Sequence, residues 1–137
     1  MFVLVETLTT WWPVKVYEPD PERPGKFVAQ EFEVEFEILD DDAVKAQREA
    51  RAAVLEAASA DTSENGLAQT QQKLDELDRH YFLRIVRNWR QVVDEGKKPV
   101  VFTEQIFLQA LKRAHIREAI VHAYNEAIDT GKARLKN

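Results

Sequence analysis

The stretch FEVEFEIL, residues 32–39, restricts the fold of this chain more than any other feature of its sequence. Apolar and acidic side chains alternate along it, starting from the glutamate just before it. Successive side chains of a β-strand point to opposite faces, whereas those of a helix repeat about every 3.6 residues. The pattern therefore predicts a strand with one buried face and one solvent face. The apolar face holds Phe32, Val34, Phe36 and Ile38, and the acidic face holds Glu31, Glu33, Glu35 and Glu37.

A second β-rich run, WPVKVY, precedes this strand at residues 12–17. The intervening residues 18–26, EPDPERPGK, contain three prolines and a glycine, which is a composition typical of turns. The two runs are expected to pair as an antiparallel hairpin. Residues 2–5 are a candidate third strand.

The hydrophobic period changes after Asp40 and predicts helices. Residues 43–58 are rich in helix formers and follow three aspartates, any of which can cap a helix N-terminus. Their apolar side is mostly alanine, so this helix buries little and is expected to be weakly held. Residues 59–66, SADTSENG, predict a mobile junction.

A second amphipathic helix is expected from Leu67 to about Val93, ending near Gly96. PVVF, residues 99–102, is predicted to be extended, because the residue before a proline avoids the helical region and valine is β-branched. Thr103 is the expected N-cap of a third helix. A fourth helix is expected to end at Gly131, before a basic tail at residues 132–137 that is expected to fray.

Together these elements predict a single domain over residues 1–137 with an α+β fold. A β-rich segment, 1–39, forms an N-terminal β-hairpin or small antiparallel sheet. About four helices follow in a mainly helical part, 40–137, with the mobile junction near 59–66. The residues expected to be mostly buried are Phe32, Val34, Phe36, Trp89, Phe102 and Tyr124.

Composition excludes several classes of protein. The chain has no cysteine, which excludes disulfides, thiolate metal sites and cysteine nucleophiles and is compatible with a reducing cytosol. No run of apolar residues is long enough to span a membrane. The N-terminus lacks the basic region of a signal peptide.

The charge is distributed unevenly along the chain. Residues 1–65 carry 15 acidic and 6 basic side chains, and residues 66–137 carry 9 acidic and 13 basic side chains. Two surfaces of different sign are the simplest interpretation.

No pattern in the sequence predicts catalysis or a cofactor. His115, Glu118 and His122 share one face of the last helix, but that face lies opposite its apolar stripe, so a solvated surface is favoured over a metal site. The strand glutamates are spread too far apart to hold one ion and favour protection of a sheet edge, with an acidic docking face as the alternative. Arginines repeat every three residues from Arg84 to Arg90, yet the net charge of -5 argues against nucleic acid as a partner. Glycine-rich phosphate loops and serine or zinc hydrolase motifs are absent.

Three segments carry a resemblance to a known family. They are WRQVVDEG at residues 89–96, PVVFTE at 99–104 and AIVHAYNEA at 119–127. In this order, behind a β-rich N-terminal segment, they resemble the phage tail assembly chaperones of long-tailed bacteriophages and prophages. The turn DEGKKP and the histidine at 115 differ from the family pattern.

The resemblance implies a non-enzymatic assembly factor in the cytoplasm of the bacterial host. Such proteins coat the long helical tape measure protein, recruit tail tube protein and are absent from the mature virion. The family commonly also makes a longer form by ribosomal frameshifting. A chaperone for an amphipathic helix needs an exposed apolar groove, and several copies can associate along a rod. The candidate partner-binding residues are Val54, Leu55, Trp89, Val93, Phe102, Phe107 and Leu111. The alternative is a helical adaptor or regulatory protein-binding module.

Overall fold

The computed structural model describes residues 1–129 and confirms the α+β fold, with a three-stranded antiparallel sheet and four helices. The described chain divides into two compact units. The first comprises Met1–Leu8 and Glu37–Ile85, and the second comprises Thr9–Phe36 and residues 86–129. The predicted end of the last helix at Gly131 and the predicted basic tail lie outside the described residues. In chain order the elements are β1 (Leu8–Pro19), β2 (Phe27–Ile38), α1 (Asp41–Ala58), α2 (Glu64–Ile85), β3 (Val86–Arg90), α3 (Glu104–Ala110) and α4 (Ala114–Ile128).

The predicted hairpin is present, and both of its strands extend beyond the β-rich runs that predicted them. A tight turn joins them. The Asp20 N–H donates to the Lys26 carbonyl at 2.9 Å, and the Asp20 carboxylate accepts from the Glu22 N–H and from Arg23 Nε. Gly25 has a φ of +81°, a conformation that glycine adopts without strain. Residues 2–5, the candidate third strand, form no strand.

The predicted alternation along β2 is confirmed in part, since Phe32, Glu33, Glu35 and Ile38 are all partly buried. Val34 and Phe36 are fully buried and Glu31 is exposed, as the period of two requires. Glu37, however, is 6% exposed. Its carboxylate lies 2.7 Å from Arg84 Nε, so an ion pair compensates for the loss of hydration. The sequence alone does not show this partner because it lies 47 positions away.

Helices α1 and α2 of the first unit pack against each other. The Asp40 carboxylate caps α1 by accepting from the Ala43 N–H at 2.8 Å. No residue of α1 is buried, in keeping with its alanine-rich face. A short turn joins the helices within the segment 59–66. Whether this segment is mobile stays a prediction, which amide hydrogen exchange would test.

The predicted long helix is wrong at its C-terminal end. Helix α2 ends at Ile85, and the following residues form the third strand of the sheet, in the order β1-β2-β3. In the register with β2, Val34 faces Trp89 and Phe36 faces Val86, and the register shifts between Glu35 and Phe36. This irregularity separates the two buried residues of β3 by three positions, which is also the spacing of one helix face. Pairing with β2 therefore overrides a local pattern that suits a helix.

The core of the second unit lies between the sheet and helices α3 and α4. Thr103 caps α3 as predicted, accepting from the Ile106 N–H at 3.1 Å. The Tyr124 ring meets the Phe36 ring edge to face at 5.4 Å. The burial predictions are confirmed for Val34, Phe36, Trp89 and Tyr124, whereas Phe32 and Phe102 are only partly buried.

Candidate partner-binding site

An apolar cavity of about 320 Å³ opens on the second unit, between the sheet and the two C-terminal helices. Both strands of the hairpin, the end of β3 and the segment after it contribute to its wall, together with α3 and α4. The lining residues are Val16, Glu18, Gln30, Glu31, Phe32, Trp89, Gln91, Val92, Val93, Phe107, Ala110, Ile116 and Ile120.

Trp89 is the centre of an aromatic cluster at this cavity. Its ring meets Phe32, Phe102 and Phe107 edge to face, with centroid distances of 6.5, 5.2 and 6.2 Å. The indole N–H donates to the Val100 carbonyl at 2.8 Å. Edge-to-face contacts and a satisfied indole hold the ring in one orientation. The cavity therefore has a rigid aromatic wall.

The segment after β3 turns sharply to form one side of the cavity. Gln91 has a φ of +65°, a left-handed conformation that is uncommon for a residue with a side chain. It directs the chain away from β2 and into a small hairpin, in which the Val100 N–H donates to the Val92 carbonyl at 2.8 Å. The Asp94 carboxylate closes the tip by accepting from the Lys98 N–H. The segment between β3 and α3 is thus folded and supports the cavity wall.

The departure of β3 also leaves part of β2 with an open edge. Among the described residues, β3 pairs only with Glu33–Phe36 of β2. Residues 27–32 of β2 therefore have a neighbouring strand on the β1 side alone. Gln30, Glu31 and Phe32 belong to both this open edge and the cavity wall. A strand edge not covered by β3 thus lies next to an apolar cavity.

Polar groups at the cavity border are acidic or neutral. Glu18 lies 3.0 Å from His115 Nε2, with both side chains about one-third exposed. The side chains of Gln30 and Gln91 add amide groups that can both donate and accept. No lysine or arginine belongs to the wall formed by the described residues.

The structure divides the predicted partner-binding residues into two sets. Trp89, Val93 and Phe107 line the cavity, and Phe102 packs behind Trp89. Phe107 and Leu111 are buried in the core, at 0% and 6% exposure. Whether either of them contacts a partner stays a prediction. Val93, which is 54% exposed, is the member of this set most accessible to a partner.

Val54 and Leu55 belong to the first unit and do not line this cavity. Val54 borders a smaller cavity of about 60 Å³ between α1 and α2, together with Asp61 and Gly66. Leu55 is 50% exposed on α1. The predicted residues therefore lie in both units, and those of the first unit lie outside this cavity.

The described residues contain no group of three histidine or carboxylate side chains placed to hold a metal ion. His115, predicted on a largely solvated face with Glu118 and His122, is about one-third exposed and pairs with Glu18, whereas the other two are exposed. Arg90 pairs with Glu33 at 2.8 Å and lies 4.1 Å from the centre of the Trp11 ring. Since Arg84 pairs with Glu37, two members of the predicted arginine row are engaged within the chain.

Sequence reasoning missed Gln30, Gln91 and Ile116 as cavity residues. The alternation along β2 places Gln30 on the same face as Phe32, so continuing that pattern by one step would have found it. Gln91 has no such signal, because its backbone conformation depends on the pairing of β3 with β2.

Comparison of the chain with protein-family models, with curated proteins and with solved structures gives no match. Within residues 1–129, none of the helices has the length and apolar character needed to cross a membrane.

Proposed function

We propose that this protein is a non-enzymatic phage tail assembly chaperone that binds the tape measure protein. The observation that carries the proposal is the open apolar cavity with its rigid wall of Trp89 and Phe107. A long amphipathic helix presents large aliphatic side chains at regular spacing, and an apolar groove accepts such side chains when the helix docks. The three segments that resemble the chaperone family contribute five of the thirteen residues that line the cavity: Trp89, Gln91, Val92, Val93 and Ile120.

Binding at this cavity requires no chemical step. The client is expected to insert an aliphatic side chain beside Val93, while the amides of Gln30 and Gln91 bind polar groups at the rim. A single site of this size gives modest affinity. Several copies on one long client add avidity, because each further contact is then made at high effective concentration.

The wider role follows from the same proposal. Copies of the protein keep the tape measure protein dispersed in the host cytoplasm and recruit tail tube protein during tail assembly. They leave before the virion is complete. The exposed faces of α1 and α2, with Leu55 at 50% and Leu67 at 56% exposure, are a second candidate surface for these partners.

Co-expression with the tape measure protein of the same genome tests the proposal. The client is expected to stay soluble and to co-purify with the wild-type chain. Val93→Asp places a charge at the cavity and should abolish co-purification. Val101→Asp is the matched control, because Val101 is 77% exposed and does not line the cavity.

Equal precipitation of the client with and without this protein would contradict the proposal. If the client binds and Val93→Asp has no more effect than Val101→Asp, the chaperone role stands but the cavity is not its site. If the wild-type chain instead binds unrelated amphipathic helices through Val93, the adaptor alternative is favoured.

A further inference from the structure

The N-terminal segment MFVLV, residues 1–5, is the most exposed apolar stretch of the described chain. Phe2 is 85% exposed and Leu4 is 86% exposed, and the intervening Val3 is 72% exposed. The segment has no charged side chain and is rich in residues that favour extended structure. A contiguous exposed apolar stretch of this kind marks an interaction site.

A site suited to such a segment exists on the same chain. The edge of β2 over residues 27–32 has no partner from β3, and it runs beside the apolar cavity. An extended peptide that joins an open sheet edge forms backbone hydrogen bonds and directs alternate side chains to one face. At this edge, one face of the added strand would lie on the same side of the sheet as Phe32, which lines the cavity.

We propose that residues 2–5 of one copy add as a strand to the 27–32 edge of β2 in a second copy. Alternate side chains of the added strand, such as Phe2 and Leu4, lie about 7 Å apart and enter the cavity. The occupant is a second copy because each chain carries both the exposed segment and the open edge. Their chemistry also matches, since an uncharged apolar strand meets an apolar wall.

Strand addition joins two different surfaces, so the contact is heterologous. It either closes into a small ring or dimer or continues as a chain of copies. It does not depend on a client. If the proposed client occupies the same cavity, the client and the second copy compete for it.

Sedimentation velocity on the purified full chain, without any client, tests this inference. The wild-type chain is expected to associate as its concentration rises. The double variant Phe2→Asp/Leu4→Asp, or Val3→Asp/Val5→Asp if the register is shifted by one, should weaken association by about a hundredfold. These side chains are exposed, so the variants should keep the wild-type circular dichroism spectrum. Val101→Asp, the matched exposed control, should associate like wild type.

A second variant changes the other half of the contact. Ala110→Phe fills the cavity without adding charge and should also yield monomers; Ala110→Leu replaces it if the larger side chain prevents folding. The aspartate double variant keeps an intact β2 edge and cavity, and Ala110→Phe keeps an intact N-terminal segment. Mixing the two should therefore restore a complex containing one of each.

Restoration on mixing, with each variant monomeric alone, supports strand addition. A wild-type chain that stays monomeric at high micromolar concentration overturns it. Association that persists in both aspartate double variants, or that is lost equally in Val101→Asp, also overturns it. None of these results depends on tape measure binding, so the chaperone proposal stands or falls separately.

Discussion

Trp89 links packing, hydrogen bonding and the candidate site at the scale of a single residue. It is 8% exposed, contacts three aromatic rings and donates its indole N–H to Val100. The acceptor lies on the small hairpin after β3, so one side chain joins the sheet to the wall of the cavity. Its aromatic area and its hydrogen bond make separate contributions, which different substitutions can measure.

Trp89→Phe should lower the free energy of unfolding by about 1–3 kcal/mol, because the Val100 carbonyl loses its donor while an aromatic ring remains. Trp89→Ala should cost about 3–5 kcal/mol, since it also leaves a cavity among the neighbouring rings. Urea unfolding followed by circular dichroism measures both. A Trp89→Phe protein as stable as wild type would show that the indole hydrogen bond contributes nothing.

At the scale of the element, the junction between α1 and α2 combines several local devices. The Asp61 carboxylate accepts from the N–H and the hydroxyl of Ser63. The Ser63 hydroxyl in turn accepts from the Gly66 N–H at 3.1 Å and so caps the start of α2. Gly66 is buried inside a helix, where glycine has low propensity. Close packing explains it, because a Cβ there would lie 2.5 Å from the Asp61 carbonyl oxygen.

Gly66→Ala should therefore destabilise the first unit, although alanine is favoured over glycine in a helix by about 1 kcal/mol. Ser63→Ala removes the cap and should cost about 1 kcal/mol. Thermal unfolding followed at the helical circular dichroism band compares these variants with Ala68→Gly, which has the opposite change at an exposed position of α2. A Gly66→Ala protein that melts above wild type would show that the junction relaxes easily.

At the scale of the whole molecule, two turns contribute to the dependence of stability on pH. Hydrogen bonding from the Arg23 side chain lowers the pKa of Asp20, and hydrogen bonding from the Ser63 hydroxyl lowers the pKa of Asp61. A carboxyl group with a lower pKa in the folded state stabilises that state only while ionised. Its contribution is present above the unfolded value near 3.8 and is lost as the pH falls through the folded pKa.

Acid should accordingly destabilise the wild-type chain more steeply below pH 3.8 than it destabilises the double variant Asp20→Asn/Asp61→Asn. Asp61 is exposed and Asp20 is partly exposed, so the difference between the two proteins should be small. Urea midpoints measured from neutral pH down to acid give the comparison. Parallel curves for wild type and variant would mean that these turns are equally protonated in the folded and unfolded chains.

The local amino-acid sequence alone determined several elements of this protein. Alternation along 32–39 determined the faces of β2, the proline-rich turn determined the hairpin, and capping by Asp40 and Thr103 determined the starts of α1 and α3. These features depend on neighbours within a few positions, which is the range over which sequence periodicity and capping act. Trp89 and Phe107 were among the predicted partner-binding residues, although Trp89 was expected near the end of a helix and lies on β3.

Tertiary structure decided the end of α2, the strand β3 and the conformation of Gln91. The residues of β3 have the spacing of a helix face, and only pairing with a strand 50 to 57 positions earlier makes them extended. The same pairing stops at Arg90, which leaves the open edge and the cavity beside it. Burial of Glu37 likewise depends on a distant partner, Arg84. Long-range contacts outweigh local preference at these positions because each residue gains more from pairing and burial than the local helix pattern supplies.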